Sequence, residues 1–240
     1  MNASSAAQLH ENLAAVRERI AEACRRAGRQ PDTVRLVGVT KYVSPELTAA
    51  LVAAGCRDLA ESRPQALWAK AEALAGVEPP PRWHLVGHLQ RNKVRRTIGS
   101  VFLLHSLDSR RLLDALEVEA RHLGRPCDVL VEVNLAGDPD RTGLPAEDVG
   151  PLLAAAAACE HVRVRGLMGM ASVPEGPDAA GLARRQFAAL RELRDRLTAD
   201  TPGMMKLDEL SMGMSGDFEE AILEGATLVR VGSALWEGVA

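Results

Sequence analysis

Short β-rich runs alternate with longer amphipathic ones along almost the whole chain, and this rhythm constrains the fold more than any single motif. The β-rich runs are Val34–Thr40, Arg57–Ala60, Trp83–Val86, Val101–Leu104, Val129–Asn134, Val162–Leu167, Leu207–Leu210 and Thr227–Val231. Between them the spacing predicts helices over Pro45–Ala54, Pro64–Ala75, Arg91–Ile98, Ser109–His122, Ala146–Cys159, Ala179–Leu197 and Asp217–Leu223. Strands joined through helices pair in parallel, because a parallel pair needs a long crossover. About eight such units in 240 residues is close to the usual size of a (β/α)8 barrel, about 250 residues. A doubly wound open sheet is the rival, and it usually carries a Gly-rich turn after its first strand. Here that turn reads Thr40-Lys41-Tyr42-Val43, with no glycine.

Ahead of the first strand, Leu9, Leu13, Val16, Ile20 and Ala23 recur at helical spacing, with Gly28 as a stop. The expected organisation is one barrel domain over 1–240, with an N-terminal helix within residues 1–30 packed on it. Glu78–Pro81 and Val173–Pro177 read as loops inside that domain. A formal charge of −3 and 3% aromatic residues argue against nucleic acid and anionic membranes as partners. Cys24, Cys56, Cys127 and Cys159 lack metal-ligand spacing and read as reduced thiols of a cytoplasmic protein, so no metal is expected. The first twenty residues are too polar for a signal peptide, and no apolar run reaches a membrane span.

In such a barrel the active site lies at the C-terminal ends of the strands. Those ends fall near Lys41, Glu61, His84, His105, Asn134, Met168, Ser211 and Arg230. Alternation puts Val37, Val39 and Lys41 on one face, so an inward Val37 would send Lys41 into the mouth and Tyr42 away from it. A partly desolvated lysine near other cations has a lowered pKa and a nucleophilic amine. A solvated lysine opening a loop is the plainer alternative. Late in the chain, Ser211-Met212-Gly213-Met214-Ser215-Gly216-Asp217 follows one strand and Arg230-Val231-Gly232-Ser233 closes the next. Loops after strands seven and eight commonly hold phosphate in barrels. Ser215 reads as an N-cap, Gly213, Gly216 and Gly232 allow close backbone approach, and Ser233 adds a hydroxyl. Simple helix capping explains the same residues. A phosphate cup across a barrel mouth from a lysine suits pyridoxal 5′-phosphate, with one end held by charge and the other by an imine.

Arg230 shares inner parity with Gly232 and needs an anionic or acceptor partner. That partner is either the nitrogen of a pyridine ring or a carboxylate such as Glu132. His84 could stack on a flat cofactor, bond its phosphate, or serve only as a hydrogen-bonded structural histidine. Met168 and Met170 either line the pocket or pack. Arg91-Asn92-Lys93-Val94-Arg95-Arg96 reads as a solvated helix face.

The segments Val37-Gly38-Val39-Thr40-Lys41, Trp83-His84-Leu85-Val86-Gly87-His88-Leu89-Gln90-Arg91-Asn92-Lys93, Arg165-Gly166-Leu167-Met168, Leu210-Ser211-Met212-Gly213-Met214-Ser215 and Val229-Arg230-Val231-Gly232 occur in the order seen in one family. From about Val34 to the C-terminus the chain resembles the pyridoxal phosphate homeostasis proteins (the YggS/PROSC family). The resemblance implies a TIM-type barrel of pyridoxal-phosphate fold type III, like the N-terminal domain of alanine racemase, without the C-terminal β-domain. It implies Lys41 as the Schiff-base lysine and Arg230 as the partner of the pyridine nitrogen. Ser211, Met214, Ser215, Gly232 and Ser233 would gather at the phosphate, with His84, Ser62, Asn134 and Met168 around the pocket. Where the family usually has Phe-Gly-Glu-Asn, this chain has Leu59-Ala60-Glu61-Ser62, so Ser62 is a shorter residue at an asparagine position.

Members of that family are described as carriers or regulators of vitamin B6 and amino-acid balance without established turnover, which implies exchange of cofactor with apo forms of pyridoxal phosphate enzymes, and the missing oligomerisation domain suggests a monomer. An amino-acid racemase is the alternative. It would need an acid–base group on each side of the cofactor, and the single tyrosine is Tyr42, next to Lys41. An arginine at the ring nitrogen also disfavours a fully delocalised carbanion. A barrel that binds some other phosphorylated metabolite is a third reading.

Overall fold

The computed structural model describes residues 3–138, 140–172, 178–200 and 205–239. The order is α1 (Ala3–Arg26), β1 (Arg35–Val39), α2 (Pro45–Ala53), β2 (Asp58–Glu61), α3 (Pro64–Ala73), β3 (Arg82–Leu85), α4 (Val94–Ile98), β4 (Leu103–Leu107) and α5 (Arg110–Leu123). It continues with β5 (Cys127–Val133), α6 (Ala146–Ala156), β6 (Val162–Gly169), α7 (Ala179–Asp200), β7 (Glu209–Ser211), α8 (Phe218–Leu223), β8 (Leu228–Val231) and α9 (Ser233–Trp236). The eight strands pair in sequence, all in parallel, and β8 returns to β1 to close the barrel. The expected (β/α)8 architecture is the observed one. The loop expected at 173–177 lies outside the described residues.

Strand alternation sorts the side chains into two cores. Val37, Ala60, Leu103, Leu130, Met168 and Leu228 fill the barrel interior. The opposite strand faces, including Leu59, Leu85, Val131, Leu167 and Val229, pack against the helices. Local signals set several helix ends. Ser44 and Ser109 cap α2 and α5 by accepting from the N–H groups of Leu47 and Leu112. Proline opens α2 and α3, where its missing N–H costs nothing.

Most boundaries shift by a few residues, and two of the shifts change which residues are in regular structure. The apolar run Val101–Leu104 suggests a strand there, but β4 runs from Leu103 to Leu107 and takes in His105 and Ser106. Both polar groups are satisfied: Ser106 donates to the carbonyl of Gly87 at 2.7 Å, and His105 bonds inside the barrel. The stretch Arg91–Ile98 begins as a 3-10 turn and becomes helical only from Val94.

Helix α1 buries Leu9, Leu13, Val16, Ile20 and Ala23, the residues that share one face at helical spacing. They pack toward α8 and α9, and the Asn12 amide donates to the carbonyls of Leu235 and Glu237. Leu13 is 2% exposed. Leu13→Ala should lower unfolding free energy by about 2–5 kcal/mol through lost burial and a residual cavity. Urea denaturation of the variant against wild type measures this, and a change below about 0.5 kcal/mol would show that α1 is only loosely docked.

Candidate functional site at the barrel mouth

Closure of β8 on β1 brings the end of the first strand and the loop after the last to one rim. The indole N–H of Trp236 donates to the carbonyl of Val39 at 2.8 Å. A Cβ on Gly232 would sit 3.4 Å from the Cβ of Val39, so the loop after β8 lies directly against the end of β1. Ser215 ties the loop after β7 to the loop after β8. Its hydroxyl oxygen accepts from the N–H groups of Gly232 at 3.2 Å and Ala234 at 3.4 Å. Its expected role as an N-cap falls away, because α8 starts only at Phe218, beyond Asp217. The carboxylate of Asp217 instead accepts from the N–H of Met214 at 2.6 Å, so one of the expected cup donors is already engaged. Burial raises the Asp217 carboxyl above its ordinary range, against the pull of that N–H and of Arg230. Gly213, at φ +90°, makes the turn possible, since a Cβ there would come within 2.6 Å of Ala221 and 2.8 Å of Phe218. Ser233 is exposed at the start of α9.

Lys41 stands on this same rim but not in the expected posture. Strand geometry stops at Val39, and Thr40–Val43 form a turn closed by a 3.1 Å backbone bond. Alternation therefore no longer governs Lys41 and Tyr42, and both are exposed. The Lys41 amine lies 4.9 Å from the centre of the Tyr42 ring. An exposed contact of this kind is worth only about 0.5–1 kcal/mol, so the side chain is not held there. The turn itself is anchored from beneath. Thr40 is buried and donates to Glu61 at 2.6 Å, while buried Lys70 donates to the same carboxylate at 2.6 Å and to the Thr40 carbonyl.

A chain of buried polar groups runs down the barrel from Arg230. The Arg230 guanidinium donates to Ser211 Oγ at 2.7 Å and to the Gly169 carbonyl at 3.2 Å. Ser211 Oγ lies 2.9 Å from His105 Nδ1, His105 Nε2 lies 2.8 Å from His84 Nδ1, and His84 Nε2 lies 3.0 Å from Asp58 Oδ1. The two ends decide the direction of every bond. Asp58 as a carboxylate only accepts, so a neutral His84 carries its proton on Nε2 and accepts at Nδ1. His105 must then donate from Nε2 and accept at Nδ1 from the Ser211 hydroxyl, whose oxygen receives Arg230. Burial pushes both histidines below the ordinary range, His105 far below it, which keeps both neutral. Burial also lowers Arg230 to about 10. At Asp58 burial acts upward, but the bonds from His84 and Arg82 outweigh it and hold the carboxyl below its usual range.

These contacts correct several sequence expectations. Ser211 does not stand at the cup, because its hydroxyl is committed to Arg230 and His105. His84 lies inside the barrel with both ring nitrogens engaged, away from a stacking or phosphate role. Met168 is fully buried and packs in the interior. Asn134 shapes its own loop, donating to the Asp138 carbonyl at 2.7 Å and accepting from Ala136. The backbone of Ser62 packs against Gly87, whose Cβ would fall 2.2 Å from the Ser62 carbonyl oxygen. The alternative ion pair between Arg230 and Glu132 is not formed: Thr142 donates to one Glu132 oxygen at 2.6 Å, and the other is buried without a partner among the described residues. Burial accordingly raises the Glu132 carboxyl. Sequence reasoning missed Asp58 and Lys70, although polar residues at inward or buried positions of an apolar strand or helix were the available signal.

A closed parallel barrel whose mouth holds a serine-bridged double loop and a buried arginine defines a class, and the comparisons agree with it. The family described as alanine racemase, N-terminal domain, matches residues 12–238. The pyridoxal phosphate homeostasis protein of Aquifex aeolicus is 40% identical, covering 94% of this chain and 96% of its own. The structure of PipY from Synechococcus elongatus PCC7942, with PLP bound, superposes with a TM-score of 0.82 at 33% identity, covering 95% of this chain and 99% of that one. The alanine racemase of Streptomyces coelicolor shares the fold at 19% identity and a TM-score of 0.73, and only 58% of its chain is covered. The chain thus belongs to the pyridoxal phosphate homeostasis protein family, within the alanine racemase N-terminal domain class.

The polar axis carries a pH signature. Both histidines have folded pKa values below the unfolded value of about 6.5, so the stability they contribute is present above that pH and is lost as pH falls. Urea midpoints should therefore decline between pH 7.5 and pH 5. With His105→Gln the decline should be shallower; an equal slope in both proteins would remove the histidines as its source.

Proposed function

We propose that this chain binds pyridoxal 5′-phosphate covalently but reversibly and acts in holding and supplying the cofactor rather than in turnover. The observation that carries the reading is Arg230, a fully buried cation at the mouth whose hydrogen-bond partners are all neutral. A buried guanidinium ordinarily has an anionic or acceptor partner, and an electron-rich ring nitrogen above it would supply one. The cup suits the phosphate end, since Ser215 and the exposed Ser233 bring hydroxyls to the loop after β8, and the N–H groups of Gly232 and Ala234, which donate to Ser215 Oγ, would be shared with or turned to an anion bound on the same rim as Lys41. When bound, pyridoxal phosphate supplies an aldehyde that a primary amine can attack.

Each residue then has a task. Lys41, unconstrained by any ion pair among the described residues, provides the amine. The Lys70–Glu61–Thr40 cluster fixes the turn from which Lys41 projects. Ser215, Gly232 and Ser233 receive the phosphate. Arg230 donates toward the ring nitrogen and, being positive, keeps a proton off it. A ring left unprotonated withdraws electrons weakly, which favours storage over carbanion chemistry. Tyr42 is 82% exposed beside Lys41, so it offers no base on an opposite side. The same reading makes the protein a cytoplasmic monomer that hands cofactor to apo enzymes; no helix among the described residues is long and apolar enough to cross a membrane.

The purified protein should be yellow, and borohydride should fix the cofactor to Lys41, with no adduct in Lys41→Ala. Mass spectrometry finding the adduct on another lysine, or none, would overturn the assignment. Loaded protein should also reactivate an apo pyridoxal phosphate enzyme faster than cofactor released spontaneously does; equal rates would leave binding intact and remove the supply role.

A further inference from the structure

At the end of the barrel away from the mouth, a cavity of about 410 Å³ opens beneath the first residues of β1, β2 and β3. Four arginines line it, Arg17, Arg35, Arg57 and Arg82, against two carboxylates, Asp32 and Asp58. Their charges are poorly compensated. Arg17 donates to the Gly55 carbonyl at 2.8 Å, and Arg57 donates to the Pro80 carbonyl at 3.1 and 3.3 Å. These are neutral acceptors, so two full positive charges line the cavity without an ion-pair partner among the described residues. Arg35 approaches Glu209 only to 3.7 Å, too long for a hydrogen bond. Arg82 engages Asp58 through one terminal nitrogen, while its Nε is buried with no partner among the described residues. Asp58 also accepts from His84, so one of its two oxygens is engaged inside the barrel and the other meets Arg82.

We propose that this cavity is a second anion site, independent of the cofactor cup, that takes a compact multivalent anion of the phosphate or pyrophosphate type. Guanidinium groups from α1, β1, β3 and the loop before β2 suit tetrahedral oxyanions, because each planar fork offers parallel donors to two oxygens. The lining holds no aromatic side chain, and the nearby face of Phe102 is already covered by Arg82 at 5.3 Å. A nucleobase or pyridine ring would therefore find nothing to stack on, which selects a small inorganic or sugar-free anion. The site also lies at the foot of the polar axis, since Asp58 joins Arg82 on this side to His84 within the barrel.

Calorimetric titration with inorganic pyrophosphate at low ionic strength, on protein first saturated with pyridoxal phosphate, tests the assignment. Wild type should bind saturably. The pair Arg17→Gln/Arg57→Gln, which removes two exposed side chains bonded only to carbonyls, should weaken binding at least tenfold. An equal loss of charge elsewhere, Arg95→Gln/Arg185→Gln, should leave it within twofold, as should Ser215→Ala at the mouth. Binding that does not saturate, an equal loss in the control pair, or a loss confined to Ser215→Ala would each overturn the proposal. Failure of the cofactor reading would show separately, as a missing borohydride adduct, and the same titration would then be run on unloaded protein, with Ser215→Ala still separating the mouth from this cavity.

Discussion

Arg35, Leu36, Val37 and Gly38 of β1 pair in register with Leu228, Val229, Arg230 and Val231 of β8, and the rest of the site depends on that pairing. It turns a row of strand–helix units into a closed surface with two rims. On one rim it sets the Lys41 turn beside Gly232 and Ser215. Along the axis it puts Arg230 level with Val37, so that a charged side chain enters the barrel interior. Trp236 reinforces the seam by reaching back 197 residues to the carbonyl of Val39.

Placing an arginine inside a barrel is costly unless its donors are met. Here they are met by a serine and a carbonyl rather than by a carboxylate. One carboxylate near it, Glu132, is engaged by Thr142 and keeps one oxygen without a partner among the described residues. Asp217 and Glu132 act on it only through space, without a hydrogen bond, and the carboxylate that ends the bonded chain, Asp58, is several hydrogen bonds distant. Between the two lie a serine and two neutral histidines, each donating in one direction. A chain of this kind has one self-consistent proton arrangement, which fixes the guanidinium in place while leaving its charge free to act on a ligand. That separation leaves Arg230 outside any ion pair among the described residues, the property on which the proposed role toward a ligand rests.

The fold was legible because alternation between period-two and helical patterning survives at every unit of the chain. It was blurred where polar residues enter strands. His105 and Ser106 do not read as strand, yet β4 runs through them because the interior and the neighbouring loop satisfy their polar atoms. The reverse error occurred at Lys41. Counting alternation past Val39 assumed that strand geometry persisted, whereas the Thr40–Val43 bond had already bent the chain. Ser211 and His84 were recognised as site residues but assigned to the ligand, since no local pattern reveals that each has protein partners on both sides.

What the sequence by itself determined was the number and order of the strand–helix units, the two glycine-bearing loops after the last strands, and an arginine on the inward face of the final one. These are local properties: residue type, parity and spacing suffice for them. Which polar groups meet was decided only by the tertiary structure. Asp58, His84, His105, Ser211 and Arg230 come from five different strands, and their contact depends on the stagger at which those strands close around the barrel. A shift of one residue in any strand would turn its polar member toward the helices, so hydrogen-bond complementarity across the interior, not the order of residues along the chain, is what assembles the site.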